Sequence, residues 1–431
     1  MKRFLAKKET VPEALTSSYI INLLSKALGY VKYLAIAIFI GFNSKTDSYF
    51  IAGSLLGLFT IFVDVFDSIG VPNLVRAQQY SEEELKDLSG VLLTFTITAA
   101  SVISLLALIL SPVVPRIAVG FTRSNQKMVQ EIFLMFIPFL FFSFFFHHWG
   151  AILRSQRKFT IVFLGQLIFS VISCIGILAI LPFVRKVWVL PIIYSFAQGS
   201  ATLFLVLFSR QFLSFQWKWN KTTKEMGKQF FLLIGSYGIT HVSMLLDNAF
   251  ASLLPSGMVT ALNYGYAIGM MPSSLLYFGN IGIVSLSENH ASQKKTKQYL
   301  FFLAIYSLPF IALTWLLLTP VLKVFLEYGR FSNLDLNLTA KAAKYYILSL
   351  PFIMIFSILA KAFQIKNKLH LLCTILALGC LVNFFLKYLF VVVLQWHLVA
   401  IPLSTLFVNI FVCAVGYVLF RKVSEEKSLS G

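Results

Sequence analysis

Residues 159–183 read FTIVFLGQLIFSVISCIGILAILPF, without one charged side chain. A helix needs roughly 20 such residues to cross the hydrocarbon core of a bilayer. This stretch therefore predicts a membrane-spanning helix. Comparable runs fall at 18–41, 47–69, 89–112, 130–152, 188–208, 229–254, 257–285, 298–322, 343–363, 370–395 and 398–420. Closed β-barrels are the other way to satisfy backbone polar groups in lipid, but they show short alternating segments instead of long continuous runs. The sequence predicts an all-α polytopic membrane protein with about 12 transmembrane helices.

Composition agrees. Of 431 residues, 58% are apolar and 12% charged, and 44 are Phe. A soluble domain carries about 25% charged residues. The mean hydropathy is +0.81. The net charge of +19 would suggest nucleic acid for a soluble chain. Here the charges sit in short loops, as topology signals and contacts to anionic headgroups, so no nucleic-acid partner is expected. The first 17 residues are polar and basic, with no short apolar core or cleavage site, so no secretory signal is expected. Cys174, Cys373, Cys380 and Cys413 lie in apolar runs. They read as small fillers and not as metal ligands.

If the N-terminus is cytoplasmic, the inside segments hold 23 of the 36 basic residues. The positive-inside rule then predicts an N-in, C-in protein of a bacterial inner or plasma membrane. The organisation expected is a cytoplasmic segment 1–17, a six-helix lobe 18–208, a cytoplasmic linker 209–228, a second six-helix lobe 229–420 and a tail 421–431. The linker mixes aromatics and lysines in Gln216-Trp217-Lys218-Trp219-Asn220-Lys221, a pattern suited to headgroup level. Two six-helix halves are the layout of a transporter built from two similar bundles.

Ionisable groups inside spans are expensive, and are functional candidates for that reason. The first span carries Lys26 and Lys32, about 240° apart around a helix. The second carries Asp64 and Asp67 on one face. Asp247 stands alone in the seventh span, as a counter-ion for a basic residue or as a cation or proton site. Lys387 in the eleventh span shares a face with Asn383, and a snorkelling or structural role is expected for it. Adjacent His147 and His148 among phenylalanines read as aromatic packing. No H-E-x-x-H, Walker A, G-x-S-x-G or kinase signature occurs, so no enzyme is expected.

Several stretches carry a resemblance. Leu24-Ser25-Lys26-Ala27-Leu28-Gly29-Tyr30-Val31-Lys32 is followed by Gly41-Phe42 and Thr46-Asp47-Ser48-Tyr49-Phe50-Ile51-Ala52. Together these resemble the start of the MurJ/MviN lipid II flippases. Ala251–Gly257 with Asn263-Tyr264 and Pro272-Ser273 resembles that family's turn into the eighth span. Glu327-Tyr328-Gly329-Arg330-Phe331 resembles its motif after the ninth, and Asn383 with the run to Arg421-Lys422 matches its last part. The resemblance covers nearly the whole chain.

The resemblance implies the fold of the multidrug/oligosaccharidyl-lipid/polysaccharide exporter superfamily, with two six-helix lobes around a central cationic cavity. It implies alternating-access transport of a polyprenyl-pyrophosphate-linked saccharide to the outer leaflet. Lys26, Lys32, Asp47 and Asp64 would then be the substrate-binding positions, and cell-wall synthesis machinery a partner. The family's two first-span arginines are Lys26 and Lys32 here, which keeps charge and loses the bidentate fork. Its second-span arginine pair falls around Phe59-Thr60-Ile61, and its eighth-span arginine at about Ala267. The family usually has two helices beyond the twelfth span. A cation-coupled exporter of small amphiphiles and a non-transporting membrane scaffold are the alternative functions. No cofactor or metal is expected. Membrane potential or an ion gradient is the expected driver, with Asp247 as the coupling candidate.

Overall fold

The structure, a computed structural model, describes residues 11–217, 221–276, 293–326, 330–366 and 368–429. Among the described residues there are fourteen α-helices. They are α1 (Val11–Phe39), α2 (Ser44–Tyr80), α3 (Glu82–Leu110), α4 (Arg123–Met135), α5 (Ile137–Ser155), α6 (Phe159–Val184) and α7 (Val189–Ser209). After these come α8 (Lys221–Ala251), α9 (Met258–Gly269), α10 (Met271–Leu276), α11 (Gln293–Leu326), α12 (Asn333–Ile365), α13 (Leu369–Lys387) and α14 (Ala400–Leu429). Among the described residues, eleven helical stretches are long and apolar enough to cross a membrane. These fit the expected count of about 12. The eighth apolar run is interrupted at Met270, between α9 and α10, and its later part lies outside the described residues.

Local chemistry sets several boundaries. Ser81 accepts a hydrogen bond from the Glu84 N–H at the start of α3, where Glu82, Glu83 and Glu84 face the positive end of the helix dipole. Ser332 and Asp335 form a reciprocal capping box on α12. The fourth apolar run breaks at Phe136, where the Phe136 N–H turns to Ile132 and Phe133 carbonyls and Pro138 begins the next helix.

The chain forms two compact units that are interleaved in sequence. The first takes in the described residues of Met1–Gly41, Ile51–Ile117 and Thr122–His241. The second takes in those of Phe42–Phe50, Ala118–Phe121 and Val242–Gly431. In the first, α1 packs on α6, α6 and α5 on α7, and α3 on α5. Its core holds Ile61, Val65, Leu92, Trp149, Ile152, Leu205 and Phe212. In the second, α12 packs on α9, α11 and α14, and α13 on α14, around Leu359, Phe363, Leu372, Ile375, Val412 and Phe420.

Lipid tails are as apolar as leucine, so helices in a membrane are held by close packing more than by the hydrophobic effect. The glycines show where. Gly265 and Gly269, four apart on α9, both face α12. A Cβ on Gly265 would stand 2.5 Å from the Ala342 Cβ, and one on Gly269 would stand 2.7 Å from the Tyr346 Cβ. Large apolar side chains left outside the cores, such as Leu105, Ile109, Phe183 and Leu316, suit a lipid solvent.

Leu213–Trp217 of the expected linker lies along the start of α3. Gln216 Nε2 donates to Asp87 Oδ1 at 2.7 Å, Ser214 Oγ donates to the Lys86 carbonyl at 3.2 Å, and Trp217 stacks on Phe95. Residues 218–220 and 327–329, within two of the motifs named above, lie outside the described residues.

Candidate functional site

Lys32 sits on α1 where that helix packs against α6, and only 7% of it is exposed. Its Nζ donates to Ser173 Oγ on α6 at 2.9 Å. The Ser173 hydroxyl in turn donates to the Phe169 carbonyl at 2.6 Å, leaving its oxygen to accept from the lysine. The ammonium stands 4.9 Å from the centre of the Phe169 ring and 5.2 Å from that of Tyr194. Those two rings stack on one another at 5.9 Å, and Phe136 stacks on the far side of Tyr194. Aromatic faces attract cations, most strongly when water is excluded. Among the described residues, no carboxylate contacts Lys32. Among the described residues, the result is a buried cation held by a hydroxyl and two π-faces, without a counter-charge. Lys26 lies about 9 Å away along the same helix by rise per residue, and is half-buried.

Asp47 has a different setting. It lies in the first turn of α2 and is 1% exposed. Its Oδ2 accepts from the Gly257 N–H at 2.6 Å. Its Oδ1 accepts from the Thr260 N–H at 2.8 Å and from Thr260 Oγ1 at 2.6 Å. Gly257 is the cap position of α9, at φ +92°, and has no side chain with which to cap. Asp47 thus supplies, from 210 residues away, the acceptor that the open N–H groups of α9 require. Both carboxylate oxygens are occupied, and a carboxylate would repel an anionic cargo. The geometry makes Asp47 a clasp between α2 and α9. The Asp64 and Asp67 side chains lie outside the described residues.

Asp247 of α8 pairs with Lys387 of α13, and the lysine also donates to Asn383 Oδ1. The Tyr346 hydroxyl on α12 donates to Asp247 Oδ2 at 3.3 Å. Lys387 is fully buried, so the snorkelling expected for it gives way to an internal ion pair. The α13 helix ends at Lys387 and continues as a π-helical turn, Tyr388–Val393. Asp247 thus has a basic partner within the protein. The neighbouring Asn263 and Asn248 amides bond each other at 2.6 Å.

His148 is fully buried in the first unit, with its Nδ1 3.3 Å from Thr96 Oγ1. The Thr96 proton goes to the Leu92 carbonyl, so Nδ1–H of the histidine is the donor. Its ring lies edge-on to Trp149 at 4.7 Å, which is the aromatic packing expected.

A family model described as Lipid II flippase MurJ matches residues 36–429. The chain belongs to the MurJ family. A probable lipid II flippase MurJ of Aquifex aeolicus (strain VF5) is 24% identical over 418 residues, spanning 94% of this chain and 82% of that protein. One of Buchnera aphidicola subsp. Acyrthosiphon pisum (strain APS) is 26% identical over 455 residues, spanning 96% and 84%. The MurJ likeness extends to the fold. A solved structure described as lipid II flippase MurJ in an inward closed conformation superposes with a TM-score of 0.77 at 20% identity, covering 96% of this chain and 90% of that one. An inward-facing multidrug resistance MATE transporter of the MOP superfamily gives 0.73 at 13% identity, covering 96% and 100%.

Proposed function

We propose that this MurJ-family protein is a flippase that carries a polyprenyl-pyrophosphate-linked saccharide of the lipid II type from the inner to the outer leaflet of a bacterial inner membrane by alternating access. The observation that carries this reading is Lys32, a cation inside a membrane span with no carboxylate beside it among the described residues. An ammonium there is stabilised by an anion, and a pyrophosphate offers several oxygens for charge-assisted hydrogen bonds. Lys26 adds a second positive charge to α1. A lysine binds phosphate as a point charge where an arginine would bind it as a fork, so the head group gains freedom to rotate. The charge of the loops supports an N-in, C-in orientation, and the machinery that makes and consumes the cargo is the natural partner.

A cation exporter would need an intramembrane acid that is free to exchange its ion. Asp247 has its cation built in as Lys387, and the oxygens of Asp47 are committed to α9. Neither favours that reading. Membrane potential acting on an anionic cargo is the driver we favour, at about 2.3 kcal/mol per charge per 100 mV.

Complementation tests the function. Cells depleted of their essential lipid II flippase would express the wild type or the Lys26→Ala/Lys32→Ala double variant, at membrane levels matched by immunoblot. Rescue by the wild type and failure of the double variant is the expected result. A well-expressed wild type that does not rescue removes lipid II as the cargo.

A further inference from the structure

The first unit contains a cavity of about 190 Å³ that the anion-binding reading does not use. Its walls include Thr60, Ser143, His147, Gln166, Phe169 and Gln198. Among the described residues, no Asp, Glu, Lys or Arg lines it. Polar side chains within membrane-spanning helices are costly unless bonded. Gln198, on α7, is 7% exposed and lines the cavity. The hydroxyl protons of Thr60 and Ser143 are spent on the carbonyls of Gly57 and Phe139, so those oxygens have only lone pairs to offer. The two glutamines add both donors and acceptors.

The occupant this wall selects is uncharged and carries donors and acceptors together. Among the described residues, a phosphate would find no lysine or arginine there, and a metal ion or ammonium would find no carboxylate. The volume equals about six waters, less than the roughly 300–1,000 Å³ of sites for drug-sized molecules. It is nonetheless roomy enough for one sugar ring, with a phenylalanine face to lie against. An acetamido group matches a glutamine amide reciprocally, N–H to C=O in both directions. The Phe169 ring that borders the cavity also carries the Lys32 ammonium 4.9 Å from its centre, so the neutral pocket lies one ring away from the cation.

We infer that this cavity is a saccharide subsite for a neutral sugar bearing hydroxyl and acetamido groups, with Gln198 and Gln166 as its hydrogen-bonding residues. The identity of the sugar as part of a lipid-linked cargo rests on the proposed function; the neutral sugar site itself does not.

The test uses the full chain in lipid nanodiscs and in proteoliposomes. Saturation-transfer NMR with N-acetylglucosamine as the probe, and glucose beside it, reads the pocket directly. Binding of N-acetylglucosamine to the wild type is expected, with glucose weaker. Gln198→Leu and Gln166→Leu should each weaken it about tenfold, the scale of one lost hydrogen bond. Gln166 is exposed, so its variant reports even if Gln198→Leu misfolds. In proteoliposomes, the wild type should prefer lipid II over sugar-free polyprenyl pyrophosphate, and Gln198→Leu should lose that preference. Absence of N-acetylglucosamine binding by the folded wild type, or binding unchanged in both variants, would mean a water-filled pocket and overturns the inference, whatever the transport result. Binding lost in the variants, with no flipping by the wild type, upholds the pocket and rejects the transport reading.

Discussion

Among the described residues, two lysines are buried, one in each unit, and their described surroundings are opposite. Lys387 has a carboxylate, an amide oxygen and, across the carboxylate, a tyrosine hydroxyl. Lys32 has a serine hydroxyl and two aromatic faces. The first arrangement is neutral and complete, and fixes α8 to α13. The second is charged and incomplete, which is how a site that must bind and release an anion needs to be. Burial alone does not mark a functional charge; the presence or absence of its counter-charge does.

The comparison breaks most visibly at Lys387. Lys387→Met strands the Asp247 carboxylate in a low-dielectric interior and should destabilise the protein by about 3–5 kcal/mol, read as a lower thermal midpoint in detergent. Adding Asp247→Asn to that variant should restore most of the loss. If the double variant is as unstable as the single, the pair is not the relevant unit.

Lys32→Met should do the reverse, leaving the midpoint near wild type while lipid II flipping falls by about 10–100-fold, the range for a lost charge-assisted hydrogen bond of roughly 1.5–3 kcal/mol. A sharper version gives Lys32 what Lys387 already has. Ser173→Asp places a carboxylate at the hydroxyl that Lys32 now uses, and flipping should fall as far as in Lys32→Met with no loss of stability. Flipping that survives Ser173→Asp would show that a neutralised Lys32 suffices.

Smaller effects separate clasp from cargo site. Asp47→Ala leaves the Gly257 and Thr260 N–H groups without an acceptor and should lower stability by about 1–3 kcal/mol, with the apparent affinity for lipid II unchanged once protein levels are matched. A selective loss of affinity would return Asp47 to the substrate site. Gly265→Ala forces a methyl against Ala342 at the α9–α12 contact and should cost about 1–3 kcal/mol, again by thermal melting, with no preference for either lysine.

Much of this was legible in the sequence, for a local reason. A bilayer demands long apolar runs and internally bonded backbone, so composition along a few dozen residues places the spans, and lysines and arginines between them suggest the orientation. Lys32 and Asp247 stood out because charge inside such runs is rare. Their partners did not stand out. Ser173 is 141 residues from Lys32, Lys387 is 140 from Asp247, and Thr260 is 213 from Asp47. Nothing local distinguishes a carboxylate that will cap a distant helix from one that will meet an ammonium or a cargo. The interruption at Met270 and the cavity beside Gln198 were equally hidden, since both depend on what a neighbouring helix brings. The sequence by itself determined that this chain lives in a membrane as helices, because the solvent acts on each segment separately. Only the tertiary structure decided which buried charges are neutralised and which stay open, because that is settled by side chains meeting across helices far apart in the chain.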